Sequence, residues 1–190
     1  MRIAVYCSAR RNIDPAYAED ARRLGRWIGE NGHTLVYGGL EYGLMDEVAR
    51  AAAEAGAKVV GVVPQSRLRD QHPLNTVSIG VSTLHERKQT MEENADVFVA
   101  LEGGLGTIDE IVSALVSMTF FRAFQPIFML NRDGIYTPLK QLFETLEQHR
   151  LAGPPATEAV SFLPDIESLT NALAEQAARL ADERQKDCTI

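Results

Sequence analysis

Between a strand-like run and a helix-like run lies Glu102-Gly103-Gly104-Leu105-Gly106-Thr107-Ile108-Asp109-Glu110, made of residue types that hold anions. Closely spaced glycines accept turn dihedrals and let a ligand approach the backbone, amides at a helix start point outward, and Thr107 adds a hydroxyl. This predicts a phosphate cradle, although a tight strand-to-helix turn would use the same glycines. There is no Lys followed by Ser or Thr and no GxGxxG spacing, so the run is neither a Walker loop nor a dinucleotide fingerprint. Glu110 follows Thr107 by three residues, about one helical turn, where a carboxylate can face the sugar of a nucleotide whose phosphate sits at the helix start; helix capping is its alternative use. Asp109 lies about 100 degrees further round and is directed to capping or solvent.

Three other stretches carry polar groups suited to a ligand. His85-Glu86-Arg87-Lys88 offers a planar donor fork at Arg87 and a point charge at Lys88, either of which can meet a phosphate, or simply a solvated helix face. Gly38-Gly39-Leu40-Glu41-Tyr42-Gly43-Leu44-Met45 is a second strand-to-helix turn, able to reach phosphate, ribose or base. Ser8 to Arg11 reaches the same rim or forms a basic turn in solvent. Met118, Phe120, Phe121 and Phe124 can shape a base pocket, or pack a helix against the sheet or against a second subunit. His33, His72, His85 and His149 form no metal-ligand spacing with Cys7 or Cys188, so no metal is expected.

These stretches need a scaffold, and the chain repeats one unit: a short β-rich run, a turn, then a helical pattern. Strands are expected at Ile3–Tyr6, Thr34–Tyr37, Lys58–Val63, Val77–Val81, Val97–Leu101 and Pro126–Leu130. Helices are expected from Pro15 to Glu30 with Asp14 as N-cap, from Leu44 to Ala55, Leu84 to Asn94, Thr107 to Phe121, Tyr136 to His149 and Leu169 to Leu180. Pro64 to Pro73 reads as an irregular excursion, and Gly153-Pro154-Pro155 as a helix break. Such an order predicts one doubly wound, Rossmann-like α/β domain over residues 1–181, with a mostly parallel sheet and a flexible tail over 182–190. Its 190 residues carry 26 acidic and 19 basic side chains, a net charge of -7, which argues against nonspecific binding to nucleic acid or anionic membrane. With two distant cysteines, no membrane-length apolar run and no leader pattern at Met1, a reducing cytoplasmic setting is expected.

Taken together, Gly43-Leu44-Met45, His85-Glu86-Arg87-Lys88 and the GGxGTxxE run from Gly103 to Glu110 resemble the Lonely Guy (LOG) family, often labelled lysine decarboxylase-like. The similarity extends from the Cys7 turn to Gly134-Ile135-Tyr136-Thr137-Pro138-Leu139. It implies a homodimeric phosphoribohydrolase, without metal or other cofactor, that cleaves the base-to-ribose bond of a nucleoside 5'-monophosphate such as AMP or a cytokinin ribotide. Arg87 and Glu110 would then be the catalytic pair. Lys88 and Gly104 to Thr107 would bind substrate, and Gly103, Gly38, Gly39, Gly43, Met45 and Ser8 complete the expected contact set.

The chain departs from the family pattern in places that bear on substrate choice. Leu40 and Asp46 stand where glycines are usual, Ser8 replaces the glycine after Cys7, and Val116, Ser117 and Phe121 alter the helix expected on the base side. Glu102 stands in place of a proline, and a carboxylate there repels phosphate unless it points away or meets Arg10, Arg11 or another cation. An N-glycosidase for a modified or pyrimidine nucleotide, or a noncatalytic carrier or sensor of a phosphorylated ligand, are the alternative functions.

Overall fold

In the computed structural model, which describes residues 1–121, 124–153 and 158–187, seven strands form one all-parallel sheet. They are β1 (Arg2–Tyr6), β2 (Thr34–Tyr37), β3 (Lys58–Pro64), β4 (Val77–Val81), β5 (Val97–Ala100), β6 (Ile127–Leu130) and β7 (Val160–Leu163). Their spatial order is β4-β3-β2-β1-β5-β6-β7. The chain therefore winds outward from β1 in one direction and, after β4, returns to β5 and winds outward in the other. Between β1 and β5 the flanking loops diverge and leave a crevice at the carboxyl ends of the strands. Strand β7 had no counterpart in the sequence reading, and the expected break at Pro154 and Pro155 lies outside the described residues.

Among the described residues six helices cover the two faces: α1 (Pro15–Glu30), α2 (Gly43–Glu54), α3 (Leu84–Glu93), α4 (Leu105–Phe121), α5 (Thr137–Gln148) and α6 (Ile166–Asp187). Side chains alternate across each strand, so Ile3 and Val5 join the layer with α1, α2 and α6, while Ala4 and Tyr6 join the layer with α3 and α4. Asp14 caps α1 as expected, its carboxylate accepting from the Ala16 amide at 2.8 Å. Most helix ends fall within three residues of the sequence reading, α4 for example starting at Leu105 and not Thr107, and two differences are larger. Helix α6 continues to Asp187 and so takes in much of the segment read as tail, and the excursion after β3 contains a 3-10 helix over Gln65–Asp70. Among the described residues no helix is long and apolar enough to cross a membrane.

Helices α1 and α2 meet closely through glycine. A Cβ at Gly25 would lie 2.4 Å from the Val48 carbonyl oxygen, and one at Gly29 would lie 2.5 Å from the Ala55 Cβ. Neither neighbour can yield without separating the helices, and α2 carries the start of one cleft wall. Gly25→Ala is expected to lower stability by about 1–3 kcal/mol despite the better helix propensity of alanine, as measured by urea unfolding.

The buried polar side chains include Asp20 and Glu102. Asp20 is bonded by Arg132, whose Nη2 donates to Oδ1 at 2.9 Å and whose Nε donates to Oδ2. Glu102, just after β5, is 2% exposed, and neither carboxylate oxygen has a hydrogen-bond partner. The groups that act on it are Asp20 and Tyr17 of α1, Cys7 after β1, Arg132 and Asp133 after β6, and Tyr136 before α5. Burial, reinforced by Asp20, pushes its acid dissociation up to about 7 from the ordinary 4.5. The cation that acts on it is Arg132, which is the other cation the sequence reading left open. Because the folded protein keeps a proton that the unfolded chain releases, this group favours folding at pH 4.5 and below and loses that advantage as pH rises to about 7. The loss levels off above that pH and amounts to roughly 3 kcal/mol. Denaturant unfolding at pH 5 and pH 8 should show a smaller stability difference in Glu102→Gln than in the wild type; equal differences would contradict this assignment.

Candidate active site

A cleft of about 420 Å³ opens at the β1–β5 switch point, between the loop after β1, the glycine turn before α2, the first turn of α3 and the start of α4. Each wall is shaped by a local requirement of the backbone. Ile108 N donates to the Gly104 carbonyl at 3.1 Å, so the amides of Leu105, Gly106 and Thr107 precede the first helical hydrogen bond of α4. They lie where a helix attracts anions. A Cβ at Gly103 would fall 2.0 Å from Thr107 Oγ1, which explains the glycine that lets Thr107 fold back over the turn. At Gly104 and Gly106 a Cβ would meet no protein atom within 4 Å, so the backbone there faces open space.

The opposite wall depends on Gly38, Gly39 and Gly43. A Cβ at Gly38 would sit 2.1 Å from Arg87 Nη2 and 2.6 Å from Met45 Sδ, so its absence makes room for the guanidinium. Gly39 has φ +75° and Gly43 has φ +52°, both in the left-handed region. Gly43 also packs beneath the loop after β1, where a Cβ would come 2.6 Å from the Ser8 carbonyl oxygen and 2.5 Å from that of Arg10. That loop is held by Ser8 N donating to the Glu102 carbonyl at 3.0 Å, Leu44 N donating to the Ser8 carbonyl at 2.9 Å, and Arg10 N donating to Ser8 Oγ at 3.1 Å.

Arg87 and Glu110 meet on the floor of the cleft. Arg87 Nη1 donates to Glu110 Oε1 at 2.9 Å while its Nε donates to the Val62 carbonyl at 3.0 Å, and the two side chains are only 15% and 13% exposed. Burial raises the Glu110 carboxyl above its ordinary range, and the adjacent guanidinium draws it partly back. Thr83 caps α3 by accepting from Glu86 N at 3.0 Å, and Glu86 Oε2 accepts from Ser82 N. This capping exchange fixes the turn that carries Arg87.

Of the residues expected at the site, Ser8, Gly38, Met45, Arg87, Gly104, Leu105, Gly106, Thr107 and Glu110 line the cleft. Gly39, Gly43 and Gly103 do not line it and serve the backbone. Lys88 is placed elsewhere. Its Nζ donates to Asp109 Oδ1 and Oδ2 at 3.0 and 2.9 Å and to Ser113 Oγ at 2.8 Å, and it lines a separate groove of about 930 Å³ on the outer side of α3 and α4. Consecutive helical residues point about 100 degrees apart, so Arg87 and Lys88 do not share one cavity. By the same rule Asp109 holds Lys88, where the sequence reading gave it to a cap or to solvent. The aromatic base pocket also fails to form at this cleft: Met118 is buried in the core, and Phe121 and Phe124 line the outer groove with His85.

Tyr6 was missed by sequence reasoning. It lines the cleft at the end of β1, its ring is buried against Phe98, and its hydroxyl has no hydrogen-bond partner. Burial and the nearby Glu110 charge hold the phenol protonated, so it remains a donor. Its only signal in the sequence is an aromatic residue with a polar tip at a strand end preceding a turn. Cys7, beside it, is kept as a neutral thiol by burial.

Asp46, unusual for its place, has a partner in buried His72. His72 Nδ1 accepts from Leu74 N at 3.1 Å, which leaves the proton on Nε2 to bond Asp46 Oδ1 at 2.9 Å. Glu41 joins these two in a trio of possible metal-binding groups, but Arg50 Nη2 already reaches Asp46 at 2.9 Å and Glu41 at 3.4 Å, and the His72 tautomer turns N–H toward the trio. The cluster is an ion-pair network.

Comparison with known proteins agrees with this geometry. Residues 45–173 match a family model described as "Possible lysine decarboxylase". The cytokinin riboside 5'-monophosphate phosphoribohydrolase LOG of Oryza sativa subsp. japonica is 33% identical over 177 residues, spanning 92% of this chain and 73% of that protein. The corresponding LOG7 protein of Arabidopsis thaliana is 31% identical over 176 residues, spanning 92% and 81%. Among solved structures, the molybdenum cofactor binding protein of Rippkaea orientalis superposes with a TM-score of 0.74 at 22% identity, covering 92% of this chain and 95% of that one, which establishes the shared fold. With the glycine turns, Arg87 and Glu110 assembled at one switch-point cleft and sequence similarity running through nearly the whole chain, the protein belongs to the LOG family.

Proposed function

We propose that the protein hydrolyses the N-glycosidic bond of a purine nucleoside 5'-monophosphate, AMP or a cytokinin ribotide, to the free base and ribose 5-phosphate. One observation carries this reading: a carboxylate, Glu110, is fixed by Arg87 one helical turn inside a helix whose first amides are free to hold phosphate. It is supported by the activity named for the rice and Arabidopsis relatives. With the phosphate on the amides of Leu105 to Thr107, the ribose lies along the first turn of α4, beside Glu110. As the bond from C1' to the base nitrogen lengthens, positive charge grows on the ribose and the fixed carboxylate stabilises it. Water supplies the oxygen that bonds to C1', one of its protons remains on the sugar hydroxyl, and the other balances the departing base.

Glu110→Gln keeps the size and removes the charge. Release of adenine from AMP is expected to fall by about two or more orders of magnitude, with AMP affinity in equilibrium dialysis largely kept. The required form is the ionised carboxylate, so kcat/KM should decline as pH falls through the raised Glu110 dissociation, placing the acid limb above pH 4.5. Nucleotide binding with no release of base, across AMP, modified purine and pyrimidine monophosphates, would overturn the hydrolase reading.

We also infer a homodimer that covers the outer face of α4, where Val116, Phe120 and Phe121 are 63%, 80% and 74% exposed. Light scattering should give twice the monomer mass, and Phe121→Asp should shift the protein toward monomer.

A further inference from the structure

Charge in the cleft is spent unevenly. Arg87 is paired with Glu110 and bonded to the Val62 carbonyl, so it brings almost no net charge to a ligand. Lys88 is turned away onto Asp109. The amides at the start of α4 supply only about half a positive charge, and a phosphate monoester carries close to two negative ones at pH 7. The remaining cation lining the cleft is Arg10, which is exposed and has no ion-pair partner among the described residues. Its neighbour Arg11 is placed differently. The Arg11 guanidinium lies 5.4 Å from the centre of the Tyr42 ring, as does that of Arg67, which also bonds the Tyr42 hydroxyl and Asp70.

Resting on the function proposed above, we propose that Arg10 is the residue that recognises the substrate's 5'-phosphate by charge, and so distinguishes a nucleotide from the corresponding nucleoside. Its backbone is set for this. The Arg10 amide is bonded to Ser8 Oγ, and the absence of a side chain at Gly43 lets the Arg10 carbonyl settle against the start of α2. The loop is thereby anchored on one side of the cleft while the amides of α4 face it from the other. A long side chain rooted there reaches the ligand, and a guanidinium presents two parallel N–H groups to phosphate oxygens. This supplies the positive boundary that the sequence reading gave to Arg87 and Lys88. The phosphate is remote from the bond that breaks, so its contact with Arg10 is made equally in the ground state and the transition state and acts on KM more than on kcat.

The experiment compares Arg10→Gln, Arg10→Lys and Arg11→Gln, the last removing the same charge one residue away. Calorimetric titration with AMP, adenosine and inorganic phosphate is paired with steady-state hydrolysis of AMP. For Arg10→Gln, AMP affinity should drop and KM should rise by about 10–100-fold with kcat within a few-fold, while adenosine binding stays unchanged. Arg10→Lys should recover part of the loss, and Arg11→Gln should behave as the wild type. Unchanged AMP binding in Arg10→Gln, an equal loss in Arg11→Gln, or parallel losses for AMP and adenosine would each overturn the assignment. Thermal unfolding identifies any variant whose loss follows from misfolding, and Arg10→Lys then carries the same comparison. Binding is read without turnover, so a wild type that binds AMP through Arg10 yet releases no adenine defeats the hydrolase reading alone, whereas a wild type that binds neither AMP nor phosphate defeats both.

Discussion

The contact between Arg87 and Glu110 organises this molecule's cleft. Two opposite charges, each mostly shielded from water, are tolerated only when geometry and further hydrogen bonds offset their lost hydration, and the Val62 carbonyl provides one of these. Gly38 exists as glycine because the guanidinium occupies the volume of its missing side chain. The Thr83 cap orients the first turn of α3, and the Thr107 fold-back over Gly103 sets the first turn of α4. A neutral pair at either position would relieve the burial cost and forfeit the fixed negative charge. The arrangement is better understood as preorganised electrostatics than as a source of stability.

Beside that pair runs a second, Lys88 with Asp109, one residue along each helix. The two bridge the same helices on different sides, one facing the cleft and the other the outer groove. Asp109 is 63% exposed, so this outer bridge contributes little stability and follows from the orientation of α3 and α4 more than it sets it. That orientation matters because Arg87 and Glu110 come from different helices and meet at 2.9 Å. Packing of α4 on the sheet through buried Ile111, Ala114 and Leu115 is what holds it.

What could be read in the sequence was what depends on local pattern. Strand and helix order, the Asp14 cap and both glycine turns follow from periodicity and backbone chemistry over a few residues. The conjunction of Arg87 with Glu110 came from family resemblance, because 23 residues and a strand separate them and no local rule brings them together. The assignment of Lys88 to the phosphate ignored the angle between neighbours on a helix. Strand β7 was overlooked because Val160-Ser161-Phe162-Leu163 is an edge strand whose apolar run is broken by Ser161 and buried fully only at Val160. The fate of Glu102 was not legible at all, since its direction is decided by α1 and by the segment after β6, both distant in the chain.

The bond between Asp46 and His72 has a consequence for how this sequence can drift. His72 is almost fully enclosed, its Nδ1 is committed to Leu74 N, and Asp46 is the acceptor for its other nitrogen. Returning Asp46 to the family's customary glycine would leave an N–H stranded in the interior, so the step back is closed unless position 72 changes first. Replacing His72 alone removes one donor from the Asp46 carboxylate, which keeps its bond from Arg50. The two positions are therefore coupled in one direction: an enclosed histidine at 72 requires an acceptor at 46, whereas Asp46, held by Arg50, can do without the histidine.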